Sequence, residues 1–67
     1  MLMQRTNDVR IPYAGYENGI LKVQFDDGAV YEYYHVPDYV GEHFIESHNK
    51  GSYLAEKIKG KYSYKRV

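Results

Sequence analysis

Hydrophobic and polar positions alternate most cleanly over residues 20–26, Ile-Leu-Lys-Val-Gln-Phe-Asp. Leu21, Val23 and Phe25 share one side of an extended chain there, and Ile20, Lys22 and Gln24 share the other, which is the period-two pattern of a half-buried strand. Residues 9–17 and 29–35 repeat the pattern less cleanly and are read as the flanking strands. Pro12 argues for a sheet edge, because proline has no N–H for a ladder. Asn18-Gly19 predicts a two-residue hairpin turn, since a type I′ turn needs positive φ at both positions. Residues 1–8 show no periodicity and are expected to be a flexible N-terminus, leaving 9–67 as a single domain.

Parity sets the register of the second hairpin. A two-residue loop at Asp27-Gly28 would put Val23 opposite Glu32 and bury a charge. A three-residue loop, Asp26-Asp27-Gly28 with Gly28 left-handed, sets Phe25 opposite Ala29, Val23 opposite Tyr31 and Leu21 opposite Tyr33. With Tyr16 beside Leu21 and Ala14 beside Val23, one face collects Tyr16, Leu21, Tyr33, Ala14, Val23, Tyr31 and Phe25. The other face carries Ile20, Tyr34, Tyr13, Gln24 and Val30, with Lys22 facing Glu32 as a cross-strand ion pair.

Val36-Pro37-Asp38 ends the strands and opens a helix, with Pro37 at the first helical position and Asp38 favourable to the helix dipole. Val40, Phe44 and Ile45 form its apolar side. Gly51 is read as a left-handed stop. Ser52 then caps a second helix to about Lys59, with Leu54, Ala55 and Ile58 on one side. The tail from Gly60 to Val67 alternates like a short strand, or like an extended arm. The expected fold is therefore α+β: a three-stranded antiparallel meander sheet, one or two helices packed on one face, and a short C-terminal strand if the tail pairs.

The bulk composition changes this picture in three ways. At 67 residues the chain buries only about 60% of its unfolded surface, so its stability margin is thin. There is no cysteine, which removes disulfides and thiolate metal sites and fits a reducing, cytoplasmic compartment. No stretch approaches the roughly 18 apolar residues of a membrane span. The formal net charge is zero but segregated. Residues 1–49 hold three bases against eight acids, a balance of −5, and residues 50–67 hold six bases against Glu56 alone, a balance of +5. Such asymmetry suits an anionic partner, or a basic end packed beside an acidic body.

Catalytic chemistry finds little support in these residues. His43 and His48 are five apart, about 140° around a helix, so they do not share a face. No i, i+4 histidine pair, phosphate-cradling glycine loop or triad-like setting is present. Glu42 and Glu46 share a helix face, where such a pair is ordinarily solvated. No catalytic residue, metal site or cofactor is expected. Tyr31 and Tyr33 could form a stacking platform, but the register puts them on the helix-covered face, where core packing is the better account. Lys57, Lys59, Lys61, Tyr62, Tyr64, Lys65 and Arg66 interleave cations with aromatics, the composition that tracks a nucleic-acid backbone and stacks bases. Tyr62 could instead follow Leu54 and Ile58 into the core.

The string Gly28-Ala29-Val30-Tyr31-Glu32-Tyr33-Tyr34-His35-Val36-Pro37 resembles the KTSC family, whose hallmark Tyr-x-Tyr followed by Val-Pro is matched by Tyr31, Tyr33, Val36 and Pro37. Gly15-Tyr16 and Leu21-x-Val23-x-Phe25 upstream, and Gly51-x-Tyr53-Leu54, Ile58 and Lys61-Tyr62 downstream, fit the same pattern. The resemblance covers roughly residues 9–67. The family occurs at the C-terminus of some lysyl-tRNA synthetases and as short free-standing proteins of bacteria. The chain departs from the pattern at Thr6, Asn7 and Asp8, where serines are usual, at Gly41, where an aromatic is common, and at Ser63, where proline is frequent. The resemblance implies an RNA-related role by association. The expected function is a small non-catalytic domain that binds RNA or a nucleotide through the basic, tyrosine-rich C-terminal surface. The alternative is a protein-interaction or inhibitory module that binds an acidic protein or self-associates as a dimer, encoded by a phage or mobile element.

Overall fold

The alternating segment becomes the central strand of a five-stranded antiparallel sheet in the computed structural model, which describes residues 3–67. The strands are β1 (Gln4–Arg5), β2 (Tyr13–Glu17), β3 (Ile20–Gln24), β4 (Val30–Tyr33) and β5 (Tyr64–Arg66), neighbours in that order. Helix α1 spans Asp38–Glu46, and helix α2 spans Lys50–Tyr53 and runs on into a π-helical stretch, Leu54–Ile58. Among the described residues no helix is long and apolar enough to cross a membrane.

Both hairpins have the expected register. Asn18 and Gly19 take φ of 52° and 80°, and Tyr16 faces Leu21 while Ala14 faces Val23. In the second turn Gly28 has φ of 90°, its N–H donates to the Phe25 carbonyl, and the Phe25 N–H donates to Ala29. Val23 then faces Tyr31, Leu21 faces Tyr33, and Lys22 faces Glu32 with 3.9 Å between Nζ and Oε2.

The sheet is wider than three strands. The tail pairs as β5 against β4, so it is a strand and not a free arm. Part of the N-terminal stretch also pairs, through Gln4 with Ala14 and Arg5 with Tyr13. Strand β2 is therefore internal. Pro12 is tolerated because it lies just before the strand, where only its carbonyl is used, by the Thr6 N–H at 2.8 Å. Residues 1 and 2 of the expected flexible segment lie outside the described residues.

The core sits between the sheet and the helices. Ala14, Leu21, Val23 and Tyr33 meet Val40 and Phe44 of α1 and Leu54 and Ile58 of the π-helical stretch, with Ile11 and Val36 closing the ends. His35 adopts a φ of 58°, and just after this left-handed bend Val36 is buried and its N–H bonds to the Gly19 carbonyl.

The helix boundaries differ from the expected ones. Pro37 is the N-cap and Asp38 the first helical residue. Gly51 is not a stop; it lies inside α2, whose cap is Asn49, accepting the Ser52 N–H at 3.3 Å. The cause is tertiary. The Asp8 carboxylate accepts the Gly51 N–H at 3.0 Å, and the Arg10 guanidinium lies over Gly51 so closely that a Cβ there would come within 2.7 Å of it. Ala55 faces solvent, so Leu54 and Ile58 alone carry that side of the core. The Lys59 N–H reaches back five residues to the Leu54 carbonyl at 2.7 Å, the wide turn that defines a π-helix.

Asp8 thus holds the second helix to the N-terminal segment, and its side chain is only 8% exposed. Burial works to raise its pKa, but donation from the Gly51 and Arg10 N–H groups and the Arg10 charge outweigh it, so the carboxyl lies below its ordinary value. A depressed carboxyl contributes stability above its unfolded pKa of about 3.9, and that contribution is lost as pH falls through the folded value. Asp8→Asn should therefore cost on the order of 1 kcal/mol near neutrality, the scale of a lost cap. Urea unfolding should show the gap between the Asp8→Asn variant and the parent closing below about pH 4. A gap that stays constant down to pH 3 would mean that the carboxylate charge is not what holds α2.

Candidate nucleic-acid interface

Strand alternation divides the basic C-terminal residues between two surfaces. Tyr64 faces Tyr33 and Arg66 faces Tyr31, so both lie on the helix side of the sheet. Lys65 faces Glu32 on the opposite side, beside the Lys22–Glu32 pair. Lys57 and Lys59 are exposed at the end of the π-helical stretch. Gly60, at φ of 82°, turns the chain, and the Lys61 N–H returns to the Ile58 carbonyl at 3.0 Å. Tyr62 is half-buried and packs against the core, and Gly60–Tyr64 line a shallow depression of about 470 Å³.

Tyr64 carries the feature most suited to recognition. It is 60% exposed, yet its ring stacks on Tyr31 at 5.7 Å and 27° and lies 5.6 Å from Tyr33. Tyr31 in turn receives Phe25 edge-on, at 5.3 Å and 87°. Tyr33 is buried, and burial, followed by its two phenol neighbours, raises its pKa and keeps it neutral. A row of rings, Phe25–Tyr31–Tyr64, therefore crosses the sheet from the end of β3 over β4 to β5. Tyr33 packs in the core as expected, whereas half-buried Tyr31 belongs to the row. The parity of β5 against β4 is the signal that would have joined Tyr31 to Tyr64. The cation held near the far end of the row, Arg10, has no signature of its own in the sequence.

The open face of the sheet offers a less suitable surface. Tyr34 donates its hydroxyl to Glu32 at 2.9 Å, and the carboxylate lies between Lys22 and the position of Lys65. Among the described residues, no three histidine or carboxylate side chains gather as metal ligands would.

The sheet with its helices on one side defines a small α+β domain, and residues 8–62 match the KTSC domain. The chain belongs to the KTSC domain family. Its structure is similar to the crystal structure of a KTSC domain protein from Yersinia pestis, with a TM-score of 0.92 and 29% identity over 98% of this chain and 96% of that one. It is also similar to the lysine–tRNA ligases of Trichormus variabilis, at 43% identity, and Nostoc punctiforme, at 38%, each over 47 residues and 70% of this chain. The chain spans 8% of the length of these curated relatives.

Proposed function

We propose that this chain is a non-catalytic accessory domain that binds single-stranded RNA through β5 and the adjoining basic turn. The observation that carries the proposal is Tyr64, a largely exposed ring held in place by Tyr31 and flanked by Arg66 on its own strand. Aromatic faces fixed beside cations accept bases by stacking and phosphates by charge, without demanding a particular sequence. Lys59 and Lys61 add charge within a few residues. The likeness to a segment of two enzymes named for tRNA supports an RNA ligand over other polyanions.

Fluorescence anisotropy with a labelled single-stranded RNA tests the proposal. Changing Lys59, Lys61, Lys65 and Arg66 together to Gln should weaken binding at least about tenfold near 0.1 M salt and flatten the salt dependence, since each lost phosphate contact removes about 0.7 from the slope. Tyr64→Leu should cost about 1–3 kcal/mol of binding if one base stacks there, with little change in melting temperature. Unaltered binding by the fourfold variant would sink the proposal.

A second mode of recognition rests on the sheet edge. Ser63 and Val67 bond inward to β4, so alternation points the backbone groups of Tyr64 and Arg66 outward, unpaired among the described residues. An extended acidic peptide could add there as a sixth strand. A second copy is less suited, because its own Lys65 and Arg66 would be brought close. Binding of such a peptide with indifference to RNA would favour this reading.

A further inference from the structure

The ring row ends at a groove that belongs to no part of the basic tail except Lys59. The groove has a volume of about 300 Å³ and lies between the second-hairpin end of the sheet and the π-helical stretch. Its inner lining is apolar: Ile11 and Leu54 are buried, and Phe25 forms a wall. Arg10 and Lys59 stand at its mouth, contributed by segments far apart in sequence.

Arg10 is held unusually well for an exposed cation. Its side chain is 59% exposed. Nevertheless Nη2 donates to Asn49 Oδ1 at 3.1 Å, Nε lies 3.9 Å from Asp8 Oδ1, and the guanidinium plane is laid over the backbone of Gly51. Any side chain at position 51 would displace it. An arginine fixed before binding loses less rotamer freedom when it meets an anion, and its planar fork suits a phosphate. Asp8 offsets part of this charge at 3.9 Å, and Lys59 supplies a second cation at the groove.

From these features we infer that the groove takes one unstacked nucleotide of a bound RNA strand, with the base against Phe25 and the apolar lining and its phosphate between Arg10 and Lys59. The inference rests on the RNA-binding proposal and extends it. The strand would pass from Tyr64 over Tyr31 to Phe25, since those three rings are in continuous contact. Asp26 also lines the groove. A carboxylate repels phosphate but accepts from base N–H donors, so it should turn the base edge inward and keep the phosphate on the Arg10 and Lys59 side.

Ala55, exposed and lining the groove, allows the site to be blocked without touching any charge. Ala55→Phe should weaken binding of a mixed-sequence single-stranded RNA roughly tenfold, as loss of one seated base would, and leave the salt slope unchanged. Arg10→Gln should weaken binding and reduce the slope by about 0.7, one phosphate's worth. Arg10→Lys, which retains the charge, should recover the slope but not the full affinity. Melting temperatures near the parent's identify folded variants, and AMP titrated into the parent should shift the NMR signals of Phe25, Ile11 and Leu54. If the parent binds RNA and the Ala55→Phe, Arg10→Gln and parent proteins bind equally, the groove is not a nucleotide site, although the RNA proposal stands. If the parent fails to bind RNA, both fall. AMP bound as tightly as the oligomer would overturn the placement within a strand and assign the groove to a free nucleotide.

Discussion

Phe44→Ala should remove about a third or more of the domain's stability at 25 °C. Phe44 is fully buried and is the largest such side chain in the domain, packed between the sheet and the helical layer and edge-on to Tyr53 at 6.1 Å. Truncating a buried phenylalanine costs about 3–5 kcal/mol. At about 0.05–0.15 kcal/mol per residue, a chain of this size has only about 3–10 kcal/mol to lose. Thermal melts followed by far-UV circular dichroism would show the loss directly. Phe44→Leu, which refills most of the volume, should remain folded with a lower melting point. Glu32→Ala should change stability by less than about 1 kcal/mol, because its partner Lys22 is 3.9 Å away and both side chains are about a quarter exposed. A folded Phe44→Ala variant with a near-parental melting point would mean that the helical layer contributes little to the core.

The parts of this fold that are legible in the sequence are those whose information is local. Each hairpin register follows from a turn that demands left-handed residues and from a period-two pattern in which one slip would bury Glu32. Strand β1 is different. It is two exposed residues long and is specified by backbone pairing with β2, so no hydrophobic pattern marks it. The start of α2 is equally hidden, because Gly51 is made helical by Asp8 and Arg10, some forty residues earlier in the chain. The candidate site divides in the same manner. Its cations and tyrosines stand out by composition. Which of them converge depends on β5 pairing with β4, which turns Lys65 away from Arg66 and brings Tyr31, a residue with the parity of the core, out beside Tyr64. Long-range packing alone decides that Arg10 reaches the groove.

Gly41→Ala should destabilise the domain, against the ordinary sign of that substitution in a helix. Alanine is normally favoured over glycine inside a helix by about 1 kcal/mol. Here a Cβ would run into Cδ1 of the Tyr16 ring and fall 2.5 Å from its Cε1 and 2.6 Å from its Cγ. The ring has little freedom to retreat, because its hydroxyl donates to the Val36 carbonyl and lies 2.9 Å from Asp38 Oδ1. Overpacking of this kind costs about 1–3 kcal/mol, and more if the hydroxyl contacts break. Tyr16 thus fills the space beside α1 that a side chain at position 41 would otherwise take. Burial, then the Asp38 hydrogen bond and charge, raise the Tyr16 pKa. The stability this neutral phenol contributes is complete below its unfolded pKa of about 10 and is lost as pH rises through the higher folded value. A double-mutant cycle separates the clash from any general intolerance of alanine at this site. In a Tyr16→Ala background, Gly41→Ala should become neutral or stabilising, a coupling of about 2 kcal/mol or more between the two positions. The alkaline decline should be weaker in that background, for lack of the phenol. If Gly41→Ala costs the same with and without the Tyr16 ring, the close approach of β2 to α1 is not what requires glycine there.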